Sequence, residues 1–196
     1  MARIFVGIPV GEELGGEVLR WQEKFQISNI KFQRTLTPNP SPKGRGVADI
    51  RWIAPRNLHV TLVAPWETKE WKAESKKLKV IQFPSFEIGF NQITVGPDEY
   101  RPRMIWATGE AGEEIGKLKK LIEISLGKKP EPRAFASHVT LARIMAGDIH
   151  KTAHEWANFK AGIDWHMLVK KFVLYQSRLL PEGAEYQVLA EFGLGV

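Results

Sequence analysis

The tetrapeptide His-Val-Thr-Leu occurs twice in the chain, at residues 59–62 and 138–141. Residues i and i+2 of a β-strand point to the same face, so each copy in a strand would present an imidazole beside a hydroxyl. An imidazole can give or take a proton near neutral pH, because its unperturbed pKa is about 6.5. A Thr hydroxyl can donate a hydrogen bond to an oxygen that gains charge. Two such strands facing each other would line a cleft with two His and two Thr. The two imidazoles could then serve as a general acid and a general base.

The composition limits the kind of protein that surrounds this cleft. At 196 residues the chain can bury a sizeable core in one domain. The absence of Cys excludes a disulfide framework and any thiolate metal site, and it agrees with a reducing cytoplasm, the location we expect. Neither a signal peptide nor an apolar segment of membrane-spanning length is evident, so we expect no membrane partner. We also expect a monomer. The net charge of +6 weakly favours a polyanionic partner.

Hydrophobic periodicity divides the chain into two similar halves. In the first half we predict a strand, a helix, a short strand, the first motif strand, a helix and a strand, at about 2–8, 11–25, 50–53, 58–63, 67–79 and 86–95. In the second half we predict a strand, a helix, the second motif strand, a helix and two strands, at about 103–107, 112–125, 138–141, 148–159, 164–176 and 184–192. The shared order favours a duplicated α+β unit, in which each half supplies one motif strand to a common cleft, over a doubly wound parallel sheet.

A stretch rich in Pro and Gly interrupts the first half at residues 34–46. Its prolines at 38, 40 and 42 and glycines at 44 and 46 exclude a helix or an interior strand. We therefore predict an inserted, exposed loop outside the repeated unit. The cations Arg34, Lys43 and Arg45 could contact RNA, but a solvated loop without a role is the simpler interpretation.

The two motifs, taken with their flanking residues, resemble those of a known family. The segments NLHVTL at 57–62 and SHVTLAR at 137–143 are similar to the paired motifs of the two-histidine (2H) phosphoesterase superfamily, most closely its RNA 2′,3′-cyclic phosphodiesterase branch, also called the 2′-5′ RNA ligase family. The resemblance covers nearly the whole chain apart from residues 34–46. It implies a single bilobal α+β domain over residues 1–196, with antiparallel sheets facing a central cleft. It also implies hydrolysis of a cyclic phosphate at the end of an RNA or on a nucleotide, typically to a 2′-phosphate, without metal or cofactor.

That reaction needs the residue types that the motifs supply. A base must deprotonate the attacking water, and an acid must protonate the departing ribose oxygen on the opposite side of phosphorus. The resemblance implies that His59 is the acid and His138 the base. The pseudo-symmetry means that a substrate bound the other way round would exchange these roles. Thr61 and Thr140 would donate hydrogen bonds to the non-bridging phosphate oxygens.

Arg143 matches the phosphate-contacting Arg that follows the second motif in this family. Strand parity conflicts with that role, because Thr140 and Ala142 share a face with His138 and Arg143 does not. Arg143 therefore reaches the cleft only if the strand ends, twists or bulges before it.

Two departures from the family pattern border the expected cleft. After the first motif the chain continues VAPWE at 63–67, where relatives commonly have an apolar-aromatic run ending in Leu-Gly. Residues 136–137 are Ala-Ser, where a Pro commonly precedes the second motif. Neither change removes a catalytic atom, but both leave the substrate preference open. Trp66, Trp106 and Phe135 are candidates for stacking on a base, although such aromatic side chains more often belong to the core.

The remaining His and the lysine runs are interpreted as structural. His150 and His154, at i and i+4 in a predicted helix, could face a Zn²⁺ ion, but the sequence offers no obvious third ligand. Asn158 stands where a zincin motif would have its second His. We therefore predict no metal site, and a structural role for His166. The lysines at 76–79 and 117–120 are interpreted as solvated helix faces.

Three functions remain open. The first is a metal-independent RNA 2′,3′-cyclic phosphodiesterase, with or without reversible 2′-5′ ligation. The second is an enzyme for another ribose phosphodiester, such as a 2′-5′ oligoadenylate or a cyclic nucleotide-like metabolite. The third is a non-catalytic RNA-binding module. A pure binder would gain little from two imidazoles, because Arg and Lys bind phosphate more strongly at neutral pH.

Overall fold

The computed structural model describes residues 1–36, 50–98, 100–110, 112–132, 135–144, 159–180 and 183–195. The described strands are β1 Ala2–Pro9, β2 Ile50–Trp52, β3 His59–Thr68, β4 Phe86–Gly96, β5 Met104–Gly109, β6 Ser137–Ile144, β7 Lys160–Val169, β8 Lys171–Leu180 and β9 Gly183–Gly193. The described α-helices are α1 Glu12–Leu36, α2 Trp71–Leu78 and α3 Glu113–Ser125, and a short 3₁₀ helix spans Pro55–Asn57.

The nine described strands join one sheet. Eight of them follow the order β7-β4-β5-β6-β3-β1-β8-β9, and the ninth, β2, pairs with residues 142–144 of β6. Every pairing between described strands is antiparallel. The predicted α+β class is therefore confirmed. The two motif strands, β3 and β6, lie side by side at the middle of the sheet and are joined through a single matched pair, Val60 and Val139.

The halves of the sheet do not coincide with the halves of the sequence. β4 belongs to the first half of the chain but pairs with β5 and β7 of the second. β8 belongs to the second half and pairs with β1 of the first. The first half thus gives its last strand, β4, to the side of β5, β6 and β7, and the second half gives its last two strands, β8 and β9, to the side of β1 and β3.

The core lies on the face of the sheet opposite the motif imidazoles. Val60, Leu62, Val139 and Leu141 are all at most 1% exposed and belong to one core cluster. Helices α1 and α3 cover this face with the apolar residues that the helical period predicts, namely Leu14 and Val18 of α1 and Ile115, Leu118 and Ile122 of α3. Strand alternation leaves His59, Thr61, His138 and Thr140 half-buried on the opposite face.

Several predicted boundaries were wrong. Helix α1 continues to Leu36, eleven residues beyond the predicted end, so the first three residues assigned to the loop are helical. The first Pro after the start of this helix is at position 38, and a helix can continue up to the residues that precede a Pro. The rest of the predicted loop lies outside the described residues, as do 145–158, where a helix was predicted from 148.

Two strand predictions also need correction. β3 extends to Thr68 and therefore occupies the predicted start of α2, which begins at Trp71. The single strand predicted at 164–176 is two strands, β7 and β8, separated at Lys170. They lie on opposite sides of the sheet order, because β7 pairs with β4 while β8 pairs with β1 and β9.

Candidate active site

The register between the motif strands arranges their four polar side chains. Val60 pairs with Val139 in an antiparallel register. Counting one residue to either side places His59 across from Thr140, and Thr61 across from His138. All four side chains line one cavity of about 240 Å³ on the open face of the sheet. The structure therefore brings together the two imidazoles and two hydroxyls that the sequence motifs single out.

Both motif strands carry a bulge at the same residue of the motif. Against β1, Thr61 pairs with Gly7 and Val63 with Val6, which leaves Leu62 as an extra residue. Against β5, Thr140 pairs with Trp106 and Ala142 with Ile105, which leaves Leu141 as an extra residue. A bulge of one residue reverses the alternation that follows it.

This reversal resolves the parity conflict at Arg143. Leu141 and Ala142 are both buried in the core, and Arg143 is exposed on the cavity side. Arg143 consequently lines the same cavity as His138 and Thr140. At the equivalent position after the first motif the chain has Ala64, so only one lobe supplies a guanidinium group at this place.

The bulge in β6 has its own hydrogen-bond partners. The carbonyl oxygen of Leu141 accepts a hydrogen bond from the backbone N–H of Ile53 at 2.9 Å and another from Nε2 of Gln22 at 3.2 Å. Gln22 is 4% exposed, and it continues the buried line of Leu14 and Val18 along α1. A polar residue on this apolar stripe was a usable signal in the sequence, and the sequence interpretation missed it. Without these partners the irregular backbone would carry a buried, unpaired acceptor.

His59 is fixed by a backbone hydrogen bond and by aromatic rings. Its Nδ1 lies 2.7 Å from the carbonyl oxygen of Asn57. A carbonyl can only accept, so the proton is on Nδ1, and Nε2 is the nitrogen left to exchange a proton. The rings of Phe5 and Tyr186 lie 4.9 and 5.0 Å from the imidazole. Burial lowers the pKa of His59, the bond to Asn57 opposes this effect, and the nearby charge of His138 lowers the pKa further.

His138 is held in a related way on the other lobe. Its imidazole hydrogen-bonds to the backbone of Ala136, again two residues before the His. The indole ring of Trp106 lies 4.4 Å from the imidazole, tilted by 33°. Burial lowers the pKa of His138, and the bond to Ala136 partly offsets that change. Both imidazoles therefore favour the neutral form in the free protein, and both are oriented by the backbone.

The cavity has the charge of an anion site. Its lining includes Arg3 and Arg143 besides the two His, and no Asp or Glu of the described residues belongs to it. Within the described part of the chain, neither Arg has a carboxylate within 4 Å. Guanidinium and hydroxyl donors that face a carboxylate-free cavity favour a phosphate-sized anion.

The three aromatic residues proposed for base stacking do not line this cavity. Trp66 lies under the ammonium group of Lys128, at 4.4 Å. Phe135 packs against the core, and Trp106 packs on His138. The aromatic rings that do line it are Phe5 and Tyr186, which the sequence interpretation missed. Phe5 looks like any core residue of an apolar strand, and Tyr186 lies far from both motifs in the sequence, so neither offered a signal.

No group of three or more potential metal ligands of the His, Cys, Asp or Glu type occurs in the ranges that the structure describes. His150 and His154 lie outside those ranges. His166 is exposed on β7, with Nε2 2.9 Å from Asp164 and Nδ1 3.5 Å from Glu87.

None of the described helices is long and apolar enough to cross a membrane.

A protein-family model matches most of the chain. The model describes the 2′-5′ RNA ligase superfamily, and its match extends over residues 40–179. This range includes both motifs and Arg143.

Curated relatives with related sequences share one name. A protein of Archaeoglobus fulgidus is 27% identical over 153 residues, covering 75% of this chain and 85% of the relative. A protein of Methanocaldococcus jannaschii is 24% identical over 193 residues, covering 97% of this chain and 99% of the relative. A protein of Thermotoga maritima is 27% identical, covering 96% and 94%. All three are named RNA 2′,3′-cyclic phosphodiesterase, which confirms the prediction of an enzyme of the phosphodiester hydrolase class.

Solved structures show the same fold. E. coli LigT in its apo form has a TM-score of 0.68 at 20% identity, covering 100% of this chain and 98% of that chain. The protein TT0787 of Thermus thermophilus has a TM-score of 0.66 at 21% identity, covering 97% of each chain. Because the family model matches residues 40–179, the chain belongs to the 2′-5′ RNA ligase superfamily, the two-histidine phosphoesterases that its paired motifs resemble.

Proposed function

We propose that this protein is a metal-independent RNA 2′,3′-cyclic phosphodiesterase that uses His59 and His138 as general acid and base. The observation that carries the proposal is the single cavity that holds two imidazoles, two Thr hydroxyls and Arg143. The names of the curated relatives support the substrate class. Each proton transfer of the reaction has a His to perform it, so the mechanism leaves no task that requires a metal ion.

In the proposed reaction, water attacks the phosphorus of the cyclic phosphate. Nε2 of His138 takes a proton from the water as the new P–O bond forms. The bond between phosphorus and the ribose 3′ oxygen breaks, and Nε2 of His59 donates a proton to that oxygen. The product carries a 2′-phosphate and a 3′-hydroxyl. The imidazoles finish with exchanged protonation states, and proton exchange with solvent restores them.

The hydroxyls and the guanidinium group stabilise the negative charge of the phosphoryl oxygens. Thr61 and Thr140 lie on different lobes, so each can donate to a different non-bridging oxygen. Arg143 supplies a charged donor from the edge of the cavity. Their arrangement exists before substrate binds, because the strand pairing and the two bulges fix it. Such preorganised donors are worth more in a partly buried site than in water.

The protonation states follow from the surroundings of the two rings. In the free protein burial lowers the pKa of both His, which favours the neutral base. The acid needs its proton in the complex, and the negative charge of the bound phosphate raises the pKa of an adjacent imidazole. Substrate therefore helps to load the acid, and the two rings titrate as a coupled pair.

The proposal also covers the domain organisation, the oligomeric state and the location of the protein. The described residues form one bilobal domain around the candidate active site. We further propose that the protein acts as a monomer. We place the protein in the cytoplasm, in agreement with its lack of Cys.

The experiment that tests the proposal is turnover of a nucleoside 2′,3′-cyclic phosphate followed by phosphorus NMR. We expect one product, the 2′-phosphate, with an undiminished rate in excess EDTA. Loss of activity in EDTA and its return with one divalent ion would contradict the metal-independent mechanism. A 3′-phosphate product would reverse the assignment of the leaving oxygen, and no turnover would leave the binding module as the better interpretation.

A further inference from the structure

A second cavity adjoins the candidate active site and is lined by three arginines. Ile53, Asn57, Arg143, Ala184 and Tyr186 line both cavities, so the two are continuous along this wall. The other residues of the second cavity come from the segment just before the first motif and from β9, namely Arg51, Trp52, Ala54, Arg56 and Glu185.

Two of its arginines face each other directly. Arg51 of β2 and Arg143 of β6 are partners in the antiparallel register, so their side chains leave the sheet on the same face. Like charges directly opposite on neighbouring strands destabilise the pairing. In the described part of the chain, neither guanidinium group has a carboxylate within 4 Å. An anion bound between them would remove this repulsion.

Arg56 adds a third guanidinium group. It is exposed on the 3₁₀ helix that leads into β3, and it too has no ion-pair partner in the ranges described. One carboxylate, that of Glu185, lines the cavity. The lining thus combines three cations with one anion, and the excess of positive charge favours an anionic ligand.

We propose that the Arg51–Arg56–Arg143 cavity binds the phosphate on the 5′ side of the ribose whose cyclic phosphate reacts between His59 and His138. The inference rests on the function proposed above, because it assumes that the ribose occupies the active-site cavity. A nucleotide at the end of an RNA chain carries such a phosphate as its internucleotide link. The substrate class is therefore a 5′-phosphorylated nucleotide unit, above all the 3′ end of an RNA chain, in preference to a bare nucleoside cyclic phosphate.

Three substrates with the same nucleoside test this inference. The first is the 2′,3′-cyclic phosphate with a free 5′-hydroxyl, the second has a 5′-phosphate, and the third is a dinucleotide ending in the cyclic phosphate. We expect kcat/KM to be about tenfold or more higher for the second and third substrates, the size of a charged hydrogen-bonded contact. An advantage for both identifies the phosphate itself as the ligand, whereas an advantage for the dinucleotide alone assigns the subsite to the internucleotide link.

The arginine variants connect this preference to the cavity. Arg51→Gln and Arg56→Gln should each lower the ratio of kcat/KM between the 5′-phosphorylated and unphosphorylated substrates several-fold, and Arg56→Lys should keep most of it. For a longer single-stranded RNA that ends in the cyclic phosphate, a plot of log kcat/KM against log salt should become shallower by about 0.7 for each arginine–phosphate interaction that a substitution removes. Arg20→Gln is the matched control, because Arg20 is an exposed Arg of α1 that lines neither cavity.

The outcomes separate failure of the subsite from failure of the function. No turnover of any of the three substrates by the wild-type protein contradicts the proposed function. Equal kcat/KM for all three substrates, or an unchanged preference for the phosphorylated substrate in Arg51→Gln and Arg56→Gln, contradicts the subsite while the function stands. A lower melting temperature with an unchanged ratio would give the arginines a structural role only.

Discussion

Gly7 allows β1 to lie close to the carbonyl oxygen of Val60, beside the imidazole of His59. A Cβ atom on Gly7 would lie 2.9 Å from the carbonyl oxygen of Val60, 3.4 Å from Cδ2 of His59 and 3.5 Å from Cε2 of Phe5. The pseudo-symmetry of the two lobes is broken here, because the residue that pairs with Thr140, as Gly7 pairs with Thr61, is Trp106. His59 thus lies beside a glycine, whereas His138 packs against the indole ring of Trp106.

Replacing Gly7 with Ala should therefore shift the backbone of β3 at Val60, and His59 with it, and lower kcat about ten- to a hundredfold, because small misplacements of a catalytic group have effects of this size. Steady-state kinetics and thermal unfolding check the prediction. Gly15→Ala in α1 is the matched control: nothing lies within 4 Å of its Cβ position, so we expect unchanged kcat and a gain of about 0.5–1 kcal/mol in stability. A fully active Gly7→Ala variant would mean that the position of His59 tolerates this contact.

Trp106 is expected to position His138 rather than to stack on a base. Its ring packs on the imidazole, a Cβ on Gly96 would overlap the indole, and its Nε1 is buried without a hydrogen-bond partner among the described residues. Trp106→Phe should keep kcat within about threefold, since it retains an aromatic ring and removes the unpaired N–H group. Trp106→Ala should lower stability by about 3–5 kcal/mol and lower kcat.

A substrate without a base separates these two roles of Trp106. If the indole positions His138, Trp106→Ala slows turnover of ribose 2′,3′-cyclic phosphate and of the nucleoside substrate by similar factors. If the indole stacks on the base, KM rises for the nucleoside substrate alone, and our interpretation of this residue is wrong.

Arg143 provides a test of the bulge at Leu141. Because the bulge directs Arg143 into the active-site cavity, Arg143→Gln should lower kcat/KM about ten- to a hundredfold, and Arg143→Lys should restore part of the loss. Inhibition by inorganic phosphate should weaken in the same order. Activity and phosphate inhibition that are unaffected in Arg143→Gln would place this side chain outside the reaction.

Acidic pH should destabilise the free protein through the two motif imidazoles. Burial lowers the pKa of His59 and of His138 below the usual 6.5, so the unfolded chain binds more protons than the folded one below about pH 6.5. The free energy of unfolding must then fall as the pH falls through 6.5 toward the lowered values. Denaturant unfolding at about pH 7.5 and 5.5 measures this loss of stability. Between these two pH values, the double variant His59→Gln/His138→Gln should lose less free energy of unfolding than the wild type. Equal changes in the double variant and the wild type would contradict the lowered pKa values.

Local sequence patterns predicted the motif residues well because strand period is a local property. The alternation of His59 and Thr61, repeated at His138 and Thr140, is enough to predict which side chains share a face. Alternation could not predict the bulges at Leu62 and Leu141, since a bulge arises from the pairing of one strand with its neighbour. The parity conflict at Arg143 was the one sign of a bulge in the sequence.

Long-range pairing accounts for most of what the sequence did not predict. The exchange of β4 and β8 between the lobes depends on which strands meet across the sheet. Tyr186 and Arg51 reach the cavities through such pairings, so their roles do not follow from spacing along the chain. The end of α1 was misplaced because the apolar positions used to predict the helix ended at Phe25, whereas the helix continues to Leu36.

The most direct test of the paired-histidine mechanism is the pH dependence of kcat for a nucleoside 2′,3′-cyclic phosphate in the wild type, His59→Ala and His138→Ala. We predict a bell-shaped profile for the wild type, and a loss of about a hundredfold to ten-thousandfold in each folded variant. His138→Ala should lose the acidic limb, which reports the base, and His59→Ala the alkaline limb, which reports the acid. The opposite pattern would exchange the two roles. Near-normal turnover in both variants, or a wild-type rate that rises steadily with pH, would contradict the mechanism.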